Sequence, residues 1–123
     1  MSDHRLVAVY GTLRRGGTNS HYLKDADYLG DDVLDTITLY DLGPYPGARA
    51  EPSDGIAVEV FSVSRAQMDM LDELEGYLPA APEKGLYTRR LFHTRYGMAA
   101  VYLYNPSVEG CRRISAGSWG GET

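Results

Sequence analysis

The stretch Val7-Ala8-Val9-Tyr10-Gly11-Thr12-Leu13-Arg14-Arg15-Gly16 starts as an apolar run and breaks into a glycine-punctuated polar turn. With Leu6 before it, the run to Tyr10 contains β-branched and aromatic residues and no polar interruption. That is the pattern of a strand buried on both faces. Gly11 opens the turn. A glycine there has access to backbone angles closed to other residues, so the amides of Thr12 and Leu13 can point at an anion or a polarised carbonyl instead of a ladder partner. The stretch is therefore a candidate oxyanion or carboxylate cradle. The alternative is that Gly11 and Gly16 only bracket a strand-to-helix loop.

Outward from the turn, the next decisive stretch is Ser64-Arg65-Ala66-Gln67-Met68-Asp69-Met70-Leu71-Asp72-Glu73-Leu74-Glu75-Gly76-Tyr77. Ser64 with Gln67 three residues later forms a capping box, and Gly76 sits where a glycine ends a helix. At about 100° per residue from Met68, Leu71 falls at about 300° and Leu74 at about 240°, which sets the buried face. Asp69, Asp72 and Glu73 fall between about 40° and 140°, on the expected wet side, whereas Glu75 lands at about 340°, between Met68 and Leu71. The helix thus aims one carboxylate inward in its last turn, where the macrodipole disfavours negative charge. Such a group must be paired, hydrogen-bonded or protonated. Two other placements stay open: Glu75 turns out to solvent at a frayed end, or pairs with Arg89 or Arg90.

Composition bounds the rest. A chain of 123 residues, 43% hydrophobic and 24% charged, builds a single domain over residues 1–123 around one core. No apolar run approaches the roughly 20 residues that cross a bilayer, and Met1 to Arg5 lacks the layout of a signal peptide, so a cytoplasmic protein without membrane contact is expected. One cysteine, Cys111, cannot close an internal disulfide. A net charge of −5 argues against nucleic acid as the main partner, although two Arg-Arg pairs among ten tyrosines leave room for a local basic-aromatic patch.

The remaining segments place strands and loops. Asn19 to Leu23 can cap and start a helical turn. Tyr28 to Leu42 reads as extended with bends at its aspartates, and Pro44-Tyr45-Pro46-Gly47 as a loop barred from helix and ladder. Ser53-Asp54-Gly55 is a turn before a strand from Ile56 to Val63. Residues 78–85 form a proline-bearing loop, either a lid or an inert insertion. Tyr87 to His93 and Met98 to Tyr104 form a hairpin turning at Tyr96-Gly97, with His93 structural because no triad or metal partner lies at the right spacing. The glycine-rich tail over 115–123 is expected to fray, with Trp119 as its anchor. Several short strands and one capped helix make an α+β fold: a small mixed β-barrel with the helix packed beside it.

Together, Y-G-T-L-R-R-G, L-D-E-L-E-G-Y, the segment Leu39 to Gly47, Leu86-Tyr87-Thr88-Arg89-Arg90 and Ile114 to Trp119 resemble the γ-glutamylcyclotransferase-like family. The likeness covers nearly the whole chain in order. It implies a cavity between the Tyr10 loop and the helix end, and a small-molecule γ-glutamyl substrate whose α-amine attacks its own γ-carbonyl, releasing 5-oxoproline and an amine or peptide. In that reaction Glu75 would be the general acid/base, and the amides of Gly11, Thr12 and Leu13 would hold the substrate's charged end or polarised oxygen. Tyr10 and Tyr87 would line the pocket with hydroxyls, Tyr77 competing with Tyr87 for its place. Neither cofactor nor metal is implied, and a monomer or weak homodimer is expected. A non-catalytic binding module on the same fold is the alternative. A phosphate-binding turn is weaker still, because residues 11–16 match neither the Walker nor the dinucleotide spacing.

Overall fold

The computed structural model describes residues 4–119. In chain order it contains β1 (Arg5–Val9), a 3-10 turn (Ser20–Leu23), β2 (Asp27–Leu34), β3 (Thr38–Asp41), β4 (Pro46–Arg49), β5 (Ile56–Val63), α1 (Arg65–Glu75), a second 3-10 turn (Pro82–Lys84), β6 (Tyr87–Thr94), β7 (Gly97–Tyr104) and β8 (Arg112–Ile114). The α+β class is as the sequence implies. The strands form two sheets, however, in the orders β2-β5-β1-β7-β6 and β4-β3-β8, and not one closed barrel. The outer edge of β4 shows why. Its Pro46 carbonyl accepts the Tyr87 hydroxyl at 2.9 Å, and its Ala48 amide donates to the Tyr10 hydroxyl at 3.2 Å. Two tyrosine side chains occupy the edge that a neighbouring strand would need for closure.

β1 is the pivot of the large sheet, antiparallel to β5 and parallel to β7. Its apolar run is buried on both faces, as expected of a central strand. Val7 and Val9 face the side covered by α1, with Phe61, Met68 and Leu71. Ala8 and the following Tyr10 face the other side, with Leu39, Ile56, Val58 and Val60. Tyr10 lies just beyond the strand, where the chain turns.

The helix begins and ends where its punctuation says. Gln67 donates its amide to the Ser64 hydroxyl at 3.1 Å, its side-chain oxygen accepts from the Ser64 amide at 2.7 Å, and Gly76 closes the end at φ 70°. Leu71 is fully buried; truncation to Ala would cost about 2–5 kcal/mol.

Three expectations are corrected. Asp72 is buried, not on the wet face, because at about 40° from Met68 it borders the apolar arc and finds partners on β6 and β7. Pro46 and Gly47 belong to a ladder, paired with Asp41 and Tyr40. Proline is tolerated there because it is the first residue of an edge strand. Asn19 stands at the N-cap of the first 3-10 turn without a capping side-chain bond; its side chain donates to Thr12 Oγ1 instead.

The β6–β7 hairpin keeps its register from Tyr87↔Tyr104 to Thr94↔Gly97, turning at residues 95–96. His93 is exposed on β6. In the glycine-rich tail, the Ser115 and Gly117 carbonyls accept from Asp54 and Ala57, and Trp119 Nε1 donates to Asp41. Residues 120–123, part of the tail expected to fray, lie outside the described residues. Among the described residues no helix is long and apolar enough to cross a membrane.

Candidate active site

Where the two sheets part, the loop after β1, the start of β4, the end of α1 and the start of β6 enclose a cavity of about 310 Å³. Tyr10, Gly11, Thr12, Leu13, Glu75 and Tyr87 all lie in its wall. Four separate parts of the chain thus converge on the residues singled out from the sequence.

The loop is shaped by a turn in which the Arg14 amide donates to the Gly11 carbonyl at 3.1 Å. Among the described residues, the amides of Gly11, Thr12 and Leu13 have no acceptor. A row of backbone amides without acceptors is the kind of donor set that can meet an anion. Asn19 holds it in shape: its amide donates to the Thr12 carbonyl at 2.9 Å and its Nδ2 to Thr12 Oγ1 at 3.0 Å. With an oxygen lone pair engaged, the Thr12 hydroxyl proton is left as a further donor. Gly11 is needed for a different reason than expected. Its backbone lies outside the left-handed region, but a Cβ would sit 2.8 Å from Pro46 Cγ. Close approach of β4, not conformational freedom, demands the glycine.

Glu75 is the carboxylate of the wall. Among the described residues it has neither a hydrogen bond nor an ion pair, and burial raises its pKa to about 7. The cation that could have neutralised it is engaged one helical turn earlier. Arg89 Nη2 donates to Asp72 Oδ2 at 3.2 Å and its Nε lies 3.0 Å from Oδ1, near enough for an ion pair though not aligned for a hydrogen bond. Tyr102 donates to the same carboxylate at 2.7 Å. Arg90 is exposed beside the Phe92 ring.

Three tyrosines surround this carboxylate with their protons already committed. Tyr10 donates to the Tyr102 carbonyl at 2.7 Å, Tyr87 to the Pro46 carbonyl and Tyr102 to Asp72. Burial first, and nearby Glu75 among further causes, pushes all three phenols up, so none ionises near neutrality. The hydroxyls of Tyr10 and Tyr87 both bond to the outer edge of β4, and both residues line the cavity. Tyr87 holds its place despite the 78–85 loop, whose end is pinned by Asn105 donating to the carbonyls of Pro82 and Gly85. Tyr77 lies outside the cavity wall, under the Arg89 guanidinium at 4.8 Å.

Sequence reasoning missed Asn19, Pro46 and Tyr102 as parts of this region. Asn19 reads as a cap and Pro46 as a loop residue. Tyr102 sits in an apolar strand where nothing local marks it. Only its repeated pairing with distant residues sets it apart.

The fold and site define a small α+β protein with a seam cavity that sets one isolated carboxylate beside a loop of free amides. The chain belongs to the family described as gamma-glutamyl cyclotransferase, AIG2-like, whose profile matches residues 7–121. It is 39% identical over 114 residues to the gamma-glutamylcyclotransferase family protein YtfP of Escherichia coli K12, covering 92% of this chain and 94% of that one. The solution structure of YtfP from Escherichia coli superposes with a TM-score of 0.75 at 36% identity, over 94% of this chain and 96% of that chain. The gamma-L-glutamyl-butirosin B gamma-glutamyl cyclotransferase of Niallia circulans is 37% identical over 82 residues, 66% of this chain and 52% of that protein.

Proposed function

We propose that the protein is a cofactor-independent cyclotransferase that converts a γ-glutamyl amide into 5-oxoproline and a free amine, with Glu75 as general acid/base. The observation that carries this reading is an unpaired carboxylate with a pKa of about 7 in the wall of a cavity whose other side is a row of unspent amides. A group of that pKa accepts a proton at neutral pH and can return it.

The chemistry needs little else. The amides of residues 11–13 and the Thr12 hydroxyl hold the substrate's α-carboxylate or its polarised oxygen. The α-ammonium gives up one proton to water, and the freed amine attacks the γ-carbonyl, forming the ring C–N bond. Glu75 takes the second proton that this nitrogen sheds and delivers it to the departing nitrogen as the original C–N bond breaks. Attack is intramolecular, so a cavity that holds the chain folded supplies much of the rate advantage. The aromatic wall of Tyr10 and Tyr87 excludes water without competing for the proton.

The test is 5-oxoproline release from a panel of γ-glutamyl amides. Turnover by the parent and its loss in Glu75→Gln support the reading. No product from any member of the panel would favour a binding module on the same fold.

A further inference from the structure

Near its end the chain returns to the loop that follows β1. Resting on the reaction proposed above, we infer that Trp119 and Arg14 are positioning residues: together they tie that loop to the β3–β4 pair and so fix where the amides of residues 11–13 stand in the cavity.

The contacts form a closed ring. Arg14 Nη2 donates to the Trp119 carbonyl at 2.9 Å, and the Arg14 amide donates to the Gly11 carbonyl at 3.1 Å. In the other direction the Trp119 indole Nε1 donates to Asp41 Oδ1 at 3.3 Å, and Asp41 is the ladder partner of Pro46. Pro46 closes the ring, since its side chain lies against Gly11 and both residues line the cavity. Neither Arg14 nor Trp119 is part of the cavity wall, so each can act on a substrate only through what it holds.

The two ends of the link are not equally secure. Trp119 packs against the core cluster of Ala8, Tyr10, Leu39 and Ile56, and the segment before it is pinned where Asp54 and Ala57 donate their amides to the carbonyls of Ser115 and Gly117. Arg14 depends on its partner. Its Nε is buried without a hydrogen bond, and among the described residues the bond to Trp119 is the one its side chain makes. That charge-assisted bond offsets the desolvation of the guanidinium. Without it the arginine gains by moving out into water, and the Gly11–Arg14 turn moves with it. Asn19 braces the loop from within the same segment and Glu59 holds Arg15 from β5, so neither joins it to β3 or β4. A donor set displaced by about 1 Å costs up to about 10²-fold in rate.

Trp119→Ala removes the indole, and Arg14→Met removes the guanidinium. Measured well below either variant's Tm, 5-oxoproline release from a γ-glutamyl amide should lose at least about 10-fold in kcat/KM in each. Its rise with pH should stay centred at about 7, because Glu75 lies on α1, outside the ring. The double variant should lose no more than the worse single one, since both break the same ring. Trp119→Phe keeps the packing and the backbone acceptor but not the indole donor, and should fall between the parent and Trp119→Ala. Parent-like kcat/KM in folded Trp119→Ala and Arg14→Met overturns the inference. Losses that multiply in the double variant also overturn it, because the two residues would then act separately. Amide nitrogen relaxation reads the loop without substrate: the order parameters of Thr12 and Leu13 should fall in both single variants. If the parent releases no 5-oxoproline from any γ-glutamyl amide, this measurement decides. Lowered order parameters then uphold the ring while the proposed reaction fails, and parent-like ones overturn it. Should Trp119→Ala not fold, Arg14→Met, which leaves Trp119 in place, carries the same readouts.

Discussion

Replacing Glu75 by Gln separates the energetic consequence of burying this carboxylate from its chemical use. Burial lifts its pKa from 4.5 to about 7. Below pH 4.5 the group is protonated in both folded and unfolded chains and contributes nothing. As pH rises towards about 7 the unfolded chain ionises first, so folded-state stability is progressively lost, reaching its full penalty above the folded pKa. At 1.36 kcal/mol per unit the penalty is about 3 kcal/mol. The Gln amide, half-buried on the cavity wall, would cost about 1 kcal/mol without a partner, leaving a net gain of about 2 kcal/mol at pH 8. For a chain of this length that is a rise of roughly 5–8 °C in Tm. At pH 4.5, where the penalty has nearly gone, the gain should vanish and the variant should be slightly the less stable of the two. Turnover should move in the opposite direction. The parent's kcat/KM rises as pH passes about 7 because the base must be ionised, whereas Glu75→Gln should be slower by about 10²- to 10⁴-fold without that rise. Thermal denaturation of both proteins between pH 4.5 and 8, beside 5-oxoproline release, reads both effects, with the exposed Glu73→Gln as control. A Tm difference independent of pH would refute burial as the source of the shift. Parent-like turnover in Glu75→Gln would refute the acid–base role.

Three further substitutions test the surroundings. Gly11→Ala should weaken substrate binding at least about 10-fold, because its Cβ meets the Pro46 ring; adding Pro46→Ala, which removes the clashing atoms, should restore part of the loss in a titration. Tyr87→Phe deprives the Pro46 carbonyl of its donor and should lower stability by about 1–3 kcal/mol and activity by about 10- to 100-fold, whereas Tyr77→Phe, outside the wall, should do less; the reverse order would remove Tyr87 from the site. Arg89→Met leaves Asp72 without its cation and should cost about 2–3 kcal/mol in a denaturant titration, less than a fully buried pair because Arg89 is partly exposed. Asp72→Asn added to it should recover part of that loss.

Local chemistry determined the helix outright: a capping box and a left-handed glycine are satisfied within the segment itself, so Ser64 and Gly76 mark its ends without reference to the fold. The 3.6-residue period then carried Glu75 to the inward arc, and the apolar run of residues 6–10 declared a strand buried on both faces. The same period misjudged Asp72, at the border of that arc, because its burial depends on Arg89 and Tyr102, residues of strands that approach only in the folded chain. That pairing also bears on the state of Glu75: it ties up Arg89, one of the two arginines that could have paired with it, and only desolvation sets the proton affinity of the carboxylate. Whether the strands close into a barrel was likewise beyond local pattern. Two tyrosine hydroxyls cap the outer edge of β4, and they can do so only because tertiary packing brings residues 10 and 87 to the same proline-led strand. Sequence periodicity says which way a side chain points; which partner it meets there depends on segments far away in the chain, and that is what leaves the half-buried Glu75 carboxylate isolated.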